Sequence, residues 1–254
     1  MVWSHAVLLF AAGILGGLTG SIAGLASVAT YPALLLAGLP PVTANVTNTV
    51  ALVFTSVGSV WGSRPELAGQ RELLTRIVPF AVAGGIAGAA LLLSTPAEGF
   101  EKIVPVLLAL AAVAILIPVR PSSDARVVDR RTHVATLALQ GLAVFAICIY
   151  GGYFGAAAGV LLLALFLRMT ATTLPQANAR KNVILGSANG VAAVIFAVAA
   201  PVQWGAVAVL GLGCLVGGRL GPIVVRHAPD RPLRLAIGVA GLALAVKLGL
   251  DAYL

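Results

Sequence analysis

The sequence is poor in charge. Only 9% of its 254 residues are Asp, Glu, Lys or Arg, where an ordinary soluble domain carries about a quarter, so a water-facing surface cannot be built around this chain. Acidic residues are scarcer still, eight against sixteen basic, and none lies in the interior of an apolar stretch. Their absence removes the buried carboxylates on which proton relays and cation sites within membranes usually rest. Cys148 and Cys214 are the only cysteines; both sit in apolar surroundings as small packing residues and say nothing about redox compartment. His5, His133 and His227 stand apart with no Cys or carboxylate at ligand spacing, so neither a metal nor another cofactor is expected. There is no Gly-x-x-x-x-Gly-Lys-[Ser/Thr] loop for a nucleotide and no Ser–His–Asp arrangement, which speaks against an enzyme. The formal charge of +8 is spread over loops instead of forming a stripe. It is therefore a topology signal and not a nucleic-acid surface. A basic n-region followed by a short apolar segment and a cleavage site is also missing, so no removed signal peptide is expected.

What is present is apolar sequence, 60% of the chain. Stretches at 6–37, 42–62, 77–95, 103–119, 134–167, 183–202, 204–225 and 235–254 approach or exceed the roughly 20 residues of a spanning helix. The expected fold is an all-α polytopic membrane protein with the lipid bilayer as its solvent. Residues 17–115 can be laid on 152–248. Gly17, Gly20 and Gly24 fall on Gly152, Gly155 and Gly159, Ala44-Asn45 on Ala177-Asn178, and Gly84-Gly85-Ile-Ala-Gly88 on Gly217-Gly218-Arg-Leu-Gly221. Three ordered blocks at nearly one offset indicate two homologous halves: a first transmembrane repeat at 1–119, a basic cytoplasmic linker at 120–133 and a second repeat at 134–254.

Counting charge tests how the halves are oriented. Eight simple transmembrane helices would divide the basic residues evenly between the two sides. If 6–37 and 134–167 instead enter and leave on one side, all basic residues except Lys102 and Lys247 share a face, which the positive-inside rule makes cytoplasmic. Both stretches exceed thirty residues and each contains a glycine cluster. The expectation is six full spans plus two broken or re-entrant glycine-rich hairpins in inverted halves, a recurrent transporter design; eight simple spans are the alternative.

Gly20, Gly24, Gly155 and Gly159 belong to runs that either pack helices closely or break them. A break exposes backbone N–H groups and the positive end of a helix dipole, which attract an anion. Behind each run lies a polar stripe: Asn45, Thr49 and Ser56 in the first half, and Asn178, Asn182 and Asn189 in the second. Positions i, i+4 and i+11 fall on one helical face. These stripes are either interhelical hydrogen-bond glue or two walls of a substrate path, with Thr47 and Asn48 beside them. Arg180 and Lys181 flank the second stripe as charge partners for an anion.

The glycine-rich first stretch leads into Tyr31-Pro32-Ala-Leu-Leu and then Thr43-Ala-Asn-Val-Thr-Asn-Thr-Val50. With Arg180-Lys-Asn-Val-Ile-Leu-Gly-Ser-Ala-Asn-Gly190 and with Gln203-Trp-Gly205 before Gly217-Gly-Arg-Leu-Gly221, these segments resemble the TauE/SafE sulfite-exporter family over essentially the whole chain. The resemblance implies transport of sulfite or organic sulfonates such as sulfoacetate across the inner membrane, with coupling to protons an option. The sequence departs from the family pattern at Leu25-Ala-Ser-Val, where further glycines are commoner, and at Gly159-Val-Leu-Leu-Leu, which lacks a proline matching Pro32. The resulting expectation is a secondary transporter of a small anion working by alternating access, with an anion channel or a non-transporting assembly subunit as alternatives. A coupling proton and assembly as a homodimer stay open.

Overall fold

A computed structural model describes residues 3–96, 98–100, 130–155, 158–169 and 172–227, together with isolated positions between 102 and 113 and between 235 and 250. The stretches at 103–119 and 235–254, and the linker up to residue 129, lie outside the described residues apart from those isolated positions. The described residues form helices and no strands: α1 (Trp3–Ala23), α2 (Ala26–Leu36), α3 (Pro41–Gly62), α4 (Arg64–Leu67), α5 (Arg71–Ser94), α6 (Arg130–Tyr153), α7 (Ala158–Met169), α8 (Leu174–Ala199) and α9 (Trp204–His227). Helix α6 begins at Arg130, within the stretch 120–133.

Four helices, α1, α5, α8 and α9, are long and apolar enough to cross a bilayer. Helix α3 has comparable length, 22 residues, but carries Asn45, Thr47, Asn48 and Thr49 on buried positions. Helices satisfy their backbone internally, which lipid requires, and their large apolar side chains point outward, as Val7, Leu142 and Val198 do. Helix starts follow local chemistry. Pro40-Pro41 opens α3, where a missing N–H costs nothing. Thr173 and Gln176 form a reciprocal capping box at the start of α8.

Both overlong glycine-rich stretches are broken, and each break contains a glycine in the left-handed region: Gly24 at φ +79° and Gly155 at φ +68°. The breaks come later than the glycine clusters suggest. Gly13, Gly16, Gly17 and Gly20 are all inside α1, whose 21 residues are long enough to cross alone; the 11-residue α2 and the 12-residue α7 are the half-length helices after the breaks. The repeat alignment is corrected here as well: Gly24 was matched to Gly159, yet Gly159 is helical and Gly155 takes the turn.

Most of the other glycines serve close packing. Helices α1 and α9 run parallel, Gly13 against Leu210 and Gly213, Gly17 against Cys214 and Gly218, and Ser21 against Gly221. Helix α3 lies parallel to α9 on another side, with Gly58 against Leu215 and Gly62 against Arg219. Helices α5 and α6 are parallel too, pairing Phe80 with Gly141, Gly84 with Phe145 and Gly88 with Ile149. At these positions a Cβ would approach backbone atoms to between 2.1 and 3.0 Å in most cases, so small residues let the backbones come together.

The described helices therefore form two bundles, one of α1, α2, α3 and α9 and the other of α5, α6, α7 and α8. Each bundle takes one long helix from the other half of the sequence. Their seam is the crossing of α3 with α8, where Gly186 faces Ser56.

Candidate functional site

The two breaks meet at this seam. A Cβ on Gly24 would lie 2.3 Å from the Gly159 Cα, and one on Gly159 would lie 2.4 Å from the Gly24 Cα. Beside the contact is a cavity of about 20 Å³ lined by Gly20, Gly24, Ala26, Leu52, Thr55, Ser56, Ser59, Gly155, Asn182, Leu185 and Asn189. That volume holds about one water molecule, so the site is closed around nothing larger. Ala26 is the first residue of α2, and its N-cap Leu25 offers no capping side chain; the positive end of the α2 dipole therefore borders the cavity. The Asn182 side chain is 4% exposed and its Nδ2 has no hydrogen-bond partner. An unsatisfied buried donor costs about 1–3 kcal/mol and is unusual enough to call for a reason.

The sequence-predicted residues separate into two groups. Gly20, Gly24, Gly155 and Asn182 line the cavity, together with Ser56 and Asn189 of the two stripes. The others bracket the broken helices. Lys181, fully buried, donates from Nζ to the carbonyls of Gly20 and Ser21 at 2.9 and 3.0 Å, placing an ammonium on the negative end of α1, where a cation is favoured. Asn45 Nδ2 donates to Tyr153 O at 2.9 Å, the last residue of α6. Asn48 Nδ2 donates to Ser27 Oγ at 3.0 Å and its Oδ1 accepts from Thr30 Oγ1 at 2.5 Å, fixing the first turns of α2. Thr47 Oγ1 accepts from Gln203 N at 3.1 Å, and Thr49 Oγ1 donates to Asn45 O at 3.1 Å. Asn178 is buried with Oδ1 unpartnered and does not line the cavity, while Gly159 presses on Gly24. Arg180 Nε donates to Gln70 Oε1 and is not among the residues lining the cavity.

Thr55 and Ser59 line the cavity and were not expected. They sit one position and three positions from Ser56 along α3, and the stripe spacing could have found them only by widening its arc. Among the described residues no cluster of His, Cys, Asp or Glu could hold a metal.

At one end of the bundles cations gather around the α3–α5 connection. Arg226 Nε and Nη2 donate to the Glu66 carboxylate at 2.6 and 2.8 Å, and Nη2 also reaches Gly62 O at 2.8 Å. The Arg219 guanidinium stands 3.8 Å over the Trp61 ring. From this end an open groove of about 630 Å³ runs along the seam between α3 and α8, lined by Val53, Ser56, Val57, Val60, Trp61, Arg64, Val183, Gly186 and Ser187.

Helices long and apolar enough to cross a bilayer, paired helix breaks and buried polar side chains where they meet fit a multi-pass membrane protein, and the family to which it belongs is one of membrane transporters. The chain belongs to the sulfite exporter TauE/SafE family, whose model matches residues 8–248. It is 25% identical over 246 residues to the probable membrane transporter protein YfcA of Escherichia coli (strain K12), covering 96% of this chain and 90% of that protein. The probable membrane transporter protein ORF9 of Sinorhizobium sp is 26% identical over 245 residues, 96% of this chain and 92% of the relative. A probable membrane transporter protein of Haemophilus influenzae is 22% identical over 245 residues, with 96% and 94% covered. No solved structure matches. With bacterial relatives of this kind, the chain is a multi-pass protein of the inner membrane.

Proposed function

We propose that this protein is a secondary transporter that moves a small anion, a sulfur oxyanion or an organic sulfonate, by alternating access between its two bundles. The observation that carries this reading is the cavity where the breaks meet. It combines an unpaired Asn182 N–H, the uncapped start of α2 and, through the Gly20 carbonyl, the buried Lys181 ammonium. Donors and positive charge without a described carboxylate suit an anion, whose negative oxygens accept hydrogen bonds. Family membership supports sulfur chemistry for the substrate. A cavity of only about 20 Å³ favours a carrier over a channel, since a pore would leave a continuous wide opening.

Inverted halves belong to the same proposal. Eight simple spans would put Arg64, Arg71 and Arg76 on the side opposite Arg180, Arg219 and Arg226. The contacts of Arg226 with Glu66, Arg219 with Trp61 and Arg180 with Gln70 favour a common side, cytoplasmic by the positive-inside rule. Purified protein in liposomes should take up or release sulfite, thiosulfate or sulfoacetate with saturable kinetics and counterflow. Flux of none of the three above empty liposomes would refute the substrate class.

A further inference from the structure

We infer that the groove between α3 and α8 is the cytoplasmic vestibule of this carrier, where the anion docks on Arg64 before it reaches the cavity. The inference rests on the transport reading above and adds a binding position to it. Three observations on the groove point the same way. It lies on the seam between the two bundles, the line along which they would separate. It shares Ser56 with the cavity, so one side chain borders both. It also holds a cation without a partner: Glu66, two residues away, is taken by Arg226, and Arg64 has no ion pair among the described residues.

The volumes describe the path. About 630 Å³ in the groove accommodates a hydrated oxyanion or a small organic sulfonate, whereas about 20 Å³ in the cavity accommodates neither. Arg64 presents a planar fork of donors matched to two oxygens of one anion. Ser56 and Ser187 follow it with hydroxyls. Each of these currently donates to its own helix, to Leu52 O and Val183 O, and each can still accept or switch partner. The valines and Trp61 between them keep the passage from holding the anion too tightly, as movement through it requires.

The test pairs flux with labelling. In liposomes, Arg64→Gln should raise the KM for sulfoacetate about tenfold and leave kcat within about twofold, the pattern of lost uniform binding; Arg64→Lys should recover most of the affinity. In inside-out vesicles, Ser187→Cys should react with a membrane-impermeant maleimide, and sulfoacetate at about ten times its KM should slow the reaction about tenfold. Sulfoacetate is the protecting anion because sulfite itself consumes maleimide. Native Cys148 and Cys214 are buried and set the background. Val57→Cys, on the facing wall of the same groove, reports on it if Ser187→Cys does not assemble. Reaction only with a membrane-permeant maleimide, no protection and an unchanged KM for Arg64→Gln in an otherwise active protein would make the groove a lipid-filled crevice and overturn the inference. A wild-type protein that moves none of the three anions would overturn the transport reading and this one with it.

Discussion

Gly24 and Gly159, one from each half of the chain, touch backbone to backbone where the turn after α1 meets the first turn of α7. Neither position has room for a methyl group, and Gly24 also takes a left-handed φ of +79°. Overpacking costs about 1–3 kcal/mol and left-handed backbone adds roughly 1–2 for a residue with a Cβ. Gly24→Ala should therefore lower stability more than Gly159→Ala, and both should depress sulfite flux. Gly190→Ala, with no atom near its would-be Cβ, should be neutral or stabilise by up to about 1 kcal/mol. Thermal unfolding in detergent ranks the three.

For Lys181 two large effects oppose each other. Its ammonium gives up water, at about 2.5–3.5 kcal/mol on insertion scales, and recovers about 1.5–3 from each hydrogen bond to a charged group. Lys181→Met should change the unfolding midpoint little and lower anion flux by about tenfold or more, because the positive charge beside the cavity is gone. A large loss of stability with unchanged flux per folded molecule would assign Lys181 a purely structural role.

Asn182 is a buried donor that binds nothing in this state. Removing such a group recovers desolvation free energy, about 1–3 kcal/mol, against the small void that truncation leaves. Asn182→Ala should keep or raise the midpoint while flux falls about tenfold, the usual trade between stability and function at a site. Flux at the wild-type level would remove Asn182 from the anion path.

Glu66 provides a pH test at the membrane surface. The hydrogen bond from Arg226 holds its carboxyl below the ordinary value of 4.5. A depressed carboxylate stabilises the fold above its unfolded pKa, and that contribution disappears as pH falls through the folded pKa. Wild type should therefore lose stability progressively below about pH 4.5 relative to Glu66→Gln. At neutral pH the variant should be the weaker of the two.

The periodicity of the chain made the helices legible, because bilayer solvent demands long apolar runs. It also placed Asn45, Thr49, Asn178 and Asn182 among buried residues. What the sequence could not separate was the two uses of glycine. Gly17 packs α1 against α9 and Gly24 turns the chain, yet both appear in one run, and an offset of 135 paired Gly24 with a helical Gly159. The same holds for polar residues. Asn45, Asn48 and Lys181 look like ligands by composition, but their partners are groups of α6, α2 and α1, and for Asn45 and Lys181 those partners lie more than a hundred residues away in sequence. Thr55 and Ser59 escaped because they lie outside the i, i+4, i+11 spacing of the stripe; Ser59 bonds its own helix at Ser56 O, whereas the buried Thr55 hydroxyl has no hydrogen-bond partner among the described residues.

The exchange of α5 and α9 between the halves bears on how the protein is made. A ribosome delivers α1 to α5 first, yet α5 then lacks α6 and α8, the surfaces its glycines fit, and α1 and α3 still lack α9. Neither bundle can close until late in synthesis. A chain cut between the repeats should not yield two autonomous halves, and the fragments should become protease-resistant only when produced together.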